Sequence, residues 1–292
     1  MDKYSQIKKN IICCPICKNI VVKTIYRYEE MCIYKCLFCC MMFQDYGNLT
    51  SCDNHLERFY GESSFNSRVK VEEGRMKRIL SYIKSDFAGL RVLEIGSGTG
   101  ILAALLIKNG VFYFGIEPSP FFYNKILEKF PEIKETVYNC SLSDANIQKN
   151  SFDIIIMVDT LEHITYPNDF LKELSCYLKE NGKLYIEVPN ESLLGFKGYL
   201  RKVVGLYSGY PTHPNHVNMF TQASLKRLLC SAGFNSRVSQ FSILGDYARM
   251  SIIFSENYNL LTHLICVFFQ LTKLDIVFQQ GNILAVSYKA NL

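Results

Sequence analysis

The sequence predicts an α/β fold: a Rossmann-like sheet, parallel except for an antiparallel last strand and covered by helices, fronted by a small cysteine-rich ribbon. From residue 90 onward, short apolar runs alternate with helical segments, the pattern of a parallel sheet buried on both faces. The first of these runs feeds a glycine-rich turn, VLEIGSGTG at 92–100. Ahead of it, Cys14-Pro-Ile-Cys17 and Cys36-Leu-Phe-Cys39 form two Cys-x-x-Cys pairs with eighteen residues between them.

Residues 11–46 alternate apolar runs (20–22, 25–26 and 33–34) with cysteine-bearing turns, which reads as a ribbon. Eight of the twelve cysteines lie at 13, 14, 17, 32, 36, 39, 40 and 52, a clustering that in a reducing compartment points to metal rather than disulfides. The C-x2-C-x18-C-x2-C spacing suits tetrahedral Zn²⁺, because each pair makes a turn that presents two thiolates. Cys13 and Cys40 flank the pairs and could substitute in part, but only Cys14, Cys17, Cys36 and Cys39 repeat the two-residue gap. Four thiolates close the coordination shell, so the expected zinc is structural.

A linker leads to a helix expected over 68–85, with Val71, Met76, Ile79, Leu80 and Ile83 on one face. Strands follow at 91–95, 111–117, 136–140, 152–158 and 183–188, with helices at 100–108, 120–129 and 168–179. Asn109-Gly110 and Asn181-Gly182 read as helix stops, and Ser119-Pro120 as a helix start. A Gly- and Tyr-rich stretch covers 191–216, with Tyr199, Tyr207 and Tyr210 placed to cover or stack on a ligand. A helix capped by Thr221 runs from 222 to 230 and is closed by Gly233, and strands near 234–243 and 282–289 complete the sheet. The predicted organisation is a zinc ribbon at 1–50, a linker and lead-in helix at 51–88, and a sheet domain at 89–292 with a lid at 191–220 and a helical insertion at 246–280.

Composition narrows the function classes. With 292 residues and 49% apolar content, the chain can bury one large core and a small module. MDKYSQIKKN lacks the apolar stretch of a signal peptide, so a cytoplasmic protein is expected. A net charge of +5, dispersed along the chain, argues against nucleic acid as partner. In 258–278, Asn259, His263, Gln270, Lys273 and Asp275 interrupt the apolar run, which falls short of the roughly 20 residues a membrane span needs. The segment reads as a helix packed on the core, or as an interfacial or homodimer-forming one.

The glycine turn is spaced Gly96-x-Gly98-x-Gly100, not G-x-G-x-x-G, and Glu94 ends the strand before it. A carboxylate there repels a pyrophosphate but accepts an ammonium group. The cofactor with an ammonium and no phosphate is S-adenosylmethionine. Glu117, at the end of the next strand, is placed to take both hydroxyls of a ribose.

With these residues the chain resembles the class I S-adenosylmethionine-dependent methyltransferases over roughly two-thirds of its length: VLEIGSGTG, GIEPSP (115–120), FDIIIMVDTLEHI (152–164) and NGKLYIEVPN (181–190) stand where that family has its motifs. The resemblance is nearest to the group that includes the ubiquinone-biosynthesis O-methyltransferases. It implies that Glu94, Gly96, Ser97, Gly98 and Gly100 hold the methionine part, with Asp159 on the same side, and that Glu117 and Pro118 hold the ribose and adenine edge. Ser141 stands where the family often has an acid facing the adenine amino group, which implies a weaker contact.

Methyl transfer to a hydroxyl needs an oriented nucleophile and a base, and histidine suits the base. Asp159-Thr-Leu-Glu162-His163 matches the acid-x-x-Glu-His pattern of the ubiquinone-type enzymes, some of which use it for Mg²⁺, so Mg²⁺ is a further candidate ligand; alternatively, Glu162 and His163 only brace the loop. His213-x-x-His216 resembles the His-Glu-His stretch of zinc-containing sugar C-methyltransferases, whose last histidine is the base, although Asn215 replaces the glutamate. The expected function is methylation of a small hydroxylated metabolite: a nucleotide-sugar, polysaccharide or natural-product precursor. The alternatives are a zinc-ribbon RNA methyltransferase and a non-catalytic cofactor-binding partner of another enzyme.

Overall fold

The computed structural model describes residues 12–28, 31–44, 62–83, 86–192, 216–241 and 282–290. Residues 193–215 of the expected lid, which include His213, Asn215 and the three lid tyrosines, and the expected helical insertion with segment 258–278 fall outside them. Among the described residues no helix is long and apolar enough to cross a membrane.

A seven-stranded sheet forms the centre. In chain order its strands are β4 (Arg91–Ile95), β5 (Phe112–Ile116), β6 (Val137–Tyr138), β7 (Phe152–Val158), β8 (Leu178–Pro189), β10 (Phe234–Phe241) and β11 (Asn282–Lys289). The spatial order is β10-β11-β8-β7-β4-β5-β6. Pairings β4–β5, β4–β7, β5–β6 and β7–β8 are parallel, and β11, the last strand of the chain, inserts antiparallel between β8 and β10.

The strands are apolar on both faces because both are covered. Leu93, Ile95, Ile155, Met157, Leu184 and Ile186 face one core, shared with helices α4 (Pro167–Ser175) and α5 (Gln222–Ser231). Val92, Ile154, Ile156 and Tyr185 face the other, under α1 (Glu62–Ile83) and α2 (Ile101–Lys108). The alternation follows from the two-residue period of a strand. In α1, Met76, Ile79, Leu80 and Ile83 are buried. Helix α3 (Pro120–Lys129) starts as expected, the Ser119 hydroxyl accepting the Phe122 N–H and Pro120 taking the first turn. Thr221 and Ser224 form a reciprocal capping box at α5.

Several boundaries differ from expectation: α1 spans Glu62–Ile83 rather than 68–85. Helix α4 ends at Ser175, and β8 begins at Leu178, inside the segment expected to be helical. Phe152 pairs with Leu178 and Ile154 with Lys183, so β8 carries extra residues there. Asn181-Gly182 lies within β8 at that irregularity rather than at a helix end. Strand β6 is also shorter than expected, two residues long.

The ribbon comprises β1 (Val22–Tyr28), β2 (Met31–Cys36) and β3 (Met42–Gln44), antiparallel in sequence. Its sheet has a fourth strand, β9 (Asn218–Met219), supplied from far along the chain. Cys14, Cys36, Cys39, Met41 and Phe43 share one buried cluster with the α4/α5 face of the central sheet.

Candidate active site

At the carboxyl ends of β4 and β5, the glycine turn is held by acids. Gly96 has φ 78°, and a Cβ there would lie 2.4 Å from the Thr160 Oγ1, so only glycine fits. Thr160 in turn donates to the carbonyls of Ile95 and Val158. The Glu117 carboxylate accepts the N–H of Gly98 at 2.8 Å and that of Ser119 at 2.9 Å, clasping the turn to the end of β5. Asn139 braces the same corner, donating to the carbonyls of Glu117 and Pro118.

Glu94 is 3% exposed and accepts a 2.6 Å hydrogen bond from the Tyr113 hydroxyl, which also lies 3.0 Å from the Ser97 Oγ. Tyr113 reaches Glu94 across Gly115, the residue level with Glu94 on β5; a Cβ on Gly115 would sit 2.6 Å from both hydroxyl oxygens. Burial pushes the Glu94 carboxyl up to about 8, and burial likewise raises Glu117. Two buried acids beside a tight backbone turn form a site complementary to a cation that also carries hydroxyls. S-adenosylmethionine, with its ammonium, sulfonium and ribose, fits that description.

Asp159 is differently engaged. Its backbone is left-handed at φ 47°, and its carboxylate is bridged by both Nη atoms of Arg75, at 2.5 and 2.9 Å. The same guanidinium pairs with Glu187, which also accepts from Asn282. Arg75 is 3% exposed, so helix α1 is pinned to the ends of β7, β8 and β11 by a buried charged network. Ser141 is exposed and donates to Asp144 at 2.5 Å, putting a carboxylate beside the position where the sequence lacks one.

Next to Asp159, the turn Leu161–His163 and the strand entered by His216 bring three candidates together. The His163 and His216 rings meet edge to face with centroids 5.1 Å apart. His216 Nε2 lies 3.9 Å from the Glu162 Oε1, and its Nδ1 lies 4.0 Å from the Glu191 Oε1. Glu162 is 1% exposed and neither of its carboxylate oxygens has a hydrogen-bond partner, so burial raises it well above the usual carboxylate range. One ligand atom from each of Glu162, His163 and His216 can be chosen so that all lie within 4.8 Å of one another. Two imidazoles and one carboxylate suit a borderline divalent ion; Mg²⁺ prefers a hard oxygen set, and Asp159, which would extend that set, is bound by Arg75.

In the ribbon, the Sγ atoms of Cys14, Cys17, Cys36 and Cys39 all lie within 4.8 Å of one another, with Cys14 to Cys39 at 3.3 Å and Cys17 to Cys36 at 3.6 Å. Cys13 and Cys40 are exposed and outside the group. Burial holds the Cys14 thiol far above its ordinary range and pushes Cys39 up to about 11. Zn²⁺ fits this tetrad, since a metal stabilises the thiolates that burial disfavours.

Sequence reasoning missed Arg75, Tyr113, Glu187, Glu191 and Asn282. Nothing local marks Tyr113 or Arg75, because their partners lie 19 and 84 positions away.

A profile of the family described as "Methyltransferase domain" matches residues 68–238, more than half of the chain. The chain is 27% identical over 173 residues to the Ubiquinone biosynthesis O-methyltransferase of Coxiella burnetii (strain Dugway 5J108-111), covering 53% of this chain and 72% of that protein. It is 30% identical over 120 residues to the protein of the same name from Bradyrhizobium diazoefficiens, covering 40% of this chain and 46% of that one. In that relative, and in those of other Coxiella strains at 54%, the match spans about half of the protein's length. Among solved structures, Haemonchus contortus phosphoethanolamine N-methyltransferase 2 in complex with S-adenosyl-L-methionine superposes with a TM-score of 0.59 at 17% identity, over 86% of this chain and 62% of that one. Magnesium protoporphyrin IX methyltransferase from Synechocystis PCC 6803 gives 0.53 at 15% identity, over 81% and 99%. At these identities the structural likeness is one of fold.

Proposed function

Because this chain belongs to the class I S-adenosylmethionine-dependent methyltransferases, we propose that it methylates a hydroxyl of a small metabolite, a nucleotide-linked sugar or a polysaccharide or natural-product precursor, with His216 as the base. The observation that carries this reading is the gathering of Glu162, His163 and His216 beside the glycine turn, with the Glu162 carboxyl buried and lacking a hydrogen-bond partner. A buried carboxyl in that state is costly unless it serves a proton or a ligand. The relatives' name, O-methyltransferase, agrees with a hydroxyl acceptor.

Bound S-adenosylmethionine supplies an electrophilic methyl group on a sulfonium. Glu94 would accept the ammonium end, and the Gly96–Gly100 turn would let backbone lie against the cofactor. Glu117 would hold the ribose: each of its oxygens already takes one N–H and keeps a lone pair for a hydroxyl. His216 would take the acceptor's proton as the acceptor oxygen bonds to the methyl carbon and the carbon–sulfur bond of the sulfonium breaks, and Glu191, 4.0 Å from its Nδ1, favours the imidazolium that results. Asp159, paired with Arg75, acts by fixing the loop that carries Glu162 and His163. The four ribbon cysteines hold one structural Zn²⁺. The division into ribbon, lead-in helix and sheet domain, and a cytoplasmic location, belong to the same proposal.

Titration calorimetry of the purified protein with S-adenosylmethionine and its demethylated product checks the cofactor. Mass spectrometry of cell extract incubated with enzyme and deuteromethyl-labelled cofactor names the acceptor. Replacement of His216 by Ala should keep cofactor affinity and reduce transfer roughly 100-fold or more, in the range ascribed to a general base. Absence of any cofactor binding, or transfer untouched in that variant, sinks the respective half of the reading.

A further inference from the structure

We infer that the ribbon is part of the catalytic apparatus, and that Gln44 at the end of β3 is the positioning residue that holds His216 in place. The inference rests on the role proposed for His216 and goes beyond it, since it assigns to the ribbon a task at the reacting centre.

The connection is made of hydrogen bonds to two successive carbonyls. The Gln44 side-chain amide donates to the His216 carbonyl at 2.8 Å, and the Gln44 backbone N–H donates to the Val217 carbonyl at 2.9 Å. Met42 and Phe43 then pair with Met219 and Asn218, and Ile33, Met42 and Met219 seal the joint. The opposite edge of the same segment is fastened to the turn that carries the other two candidates. There the Val217 N–H donates to the Glu162 carbonyl at 3.0 Å, and the Asn218 amide donates to the Ile164 carbonyl at 2.6 Å. Residues 216–219 are thus a shim between the ribbon and the Glu162-His163 turn.

Gln44 is 5% exposed, and a buried primary amide costs free energy unless its partners are in place. Here one Nε2–H is spent on the peptide that carries the His216 ring. The metal cluster lies directly upstream: the Cys36 N–H donates to the Met41 carbonyl, and β3 starts at Met42. The four thiolates, once gathered by Zn²⁺, fix where β3 can run and hence where Gln44 points. A displaced His216 would lose alignment with its acceptor, and misplacement by about 1 Å can cost on the order of 100-fold in rate.

The test uses the full chain with its zinc. Gln44→Met keeps length and loses the donor; Gln44→Asn keeps an amide on a shorter arm. Arg227→Ala is the control: it removes another contact between ribbon and sheet domain, 3.3 Å to the Phe38 carbonyl in the Cys36–Cys39 turn, and leaves the bonds of Gln44 in place. Three quantities are read: zinc per chain with affinity for the demethylated cofactor, the His216 imidazole signals by NMR assigned through His216→Ala, and label transfer from deuteromethyl cofactor to extract acceptors. For Gln44→Met, unchanged zinc and affinity are expected together with shifted His216 signals and a ten- to hundredfold slower transfer, an order-of-magnitude range. Gln44→Asn should fall between it and wild type, and Arg227→Ala should match wild type. Unchanged His216 signals and transfer in Gln44→Met overturn the inference. If that variant loses zinc, Gln44→Asn decides, since it must then move the same signals with zinc retained. A wild-type protein that binds no cofactor defeats the methyltransferase reading instead, while the imidazole signals still decide the role of Gln44.

Discussion

Glu94 shows how burial gives one residue two duties. In the free protein its carboxyl titrates near 8 because burial disfavours the charge, whereas an unfolded chain returns it to about 4.5. The folded state therefore holds the extra proton between those values. Stability from this group is complete below 4.5 and declines toward 8, at about 1.4 kcal/mol per pH unit. Binding runs the other way: an ammonium pairs with the carboxylate, so affinity for the demethylated cofactor should rise as pH climbs through 8. Glu94→Gln should flatten both dependences and cost at least about tenfold in affinity at high pH, equivalent to about 1.4 kcal/mol; urea titrations and calorimetry across the range check this. At Gly115 a methyl group would collide with Ser97 and Tyr113 and break the hydroxyl chain to Glu94. Gly115→Ala should destabilise the protein by about 1–3 kcal/mol, as overpacking does, and weaken cofactor binding. An Ala variant as stable as wild type would show that Tyr113 can swing away.

Among the elements, helix α1 is held by more than its apolar stripe. Arg75 carries the charges of Asp159, just past the end of β7, and Glu187 on β8; Arg75 and Glu187 are out of water and Asp159 is partly so. Removing one partner of such a set strands buried charge, so Arg75→Met should lose about 3–5 kcal/mol. Because Asp159 starts the turn to Glu162 and His163, the variant should also slow methyl transfer beyond its loss of folded protein. Thermal melts beside rates corrected for folded fraction separate the two effects; rates that track folded fraction alone would reduce Arg75 to a structural brace. Helix α1 was legible from the spacing of Met76, Ile79, Leu80 and Ile83, and Arg75 was not. Nothing in a one-turn neighbourhood distinguishes a solvent-facing arginine from one aimed at a strand end. The start of β8 was hidden for a similar reason, since its irregular register against β7 depends on strand pairing rather than on the Asn181-Gly182 dipeptide.

At the scale of the whole molecule, ribbon and sheet are joined through β3, β9 and a common core. The sequence reads as a structural zinc clip, and the joint from β3 to residues 216–219 is the route by which its loss would reach the proposed base. Cys36→Ser should abolish the roughly one zinc per chain expected of a four-thiolate site. It should also expose amides 216–219 to hydrogen exchange while leaving β4, β5 and β7 protected. Protection of 216–219 surviving metal loss would mean that the turn at Glu162 alone holds that strand.

By itself the sequence determined the largely parallel sheet, most of its helices with the caps at Asn109, Ser119 and Thr221, the cysteine tetrad, and the acid-flanked glycine turn. Those signals are local: alternation, capping residues, two-residue cysteine gaps, and an acid at each of two strand ends. Only the tertiary structure decided what the acids and histidines do together. It set Tyr113 on Glu94, took Asp159 for Arg75, brought His216 to Glu162, His163 and Glu191, and put Gln44 behind His216. These contacts join positions as far apart as 172 residues. Their existence depends on which strands pair and which faces meet, and no residue-by-residue preference encodes that.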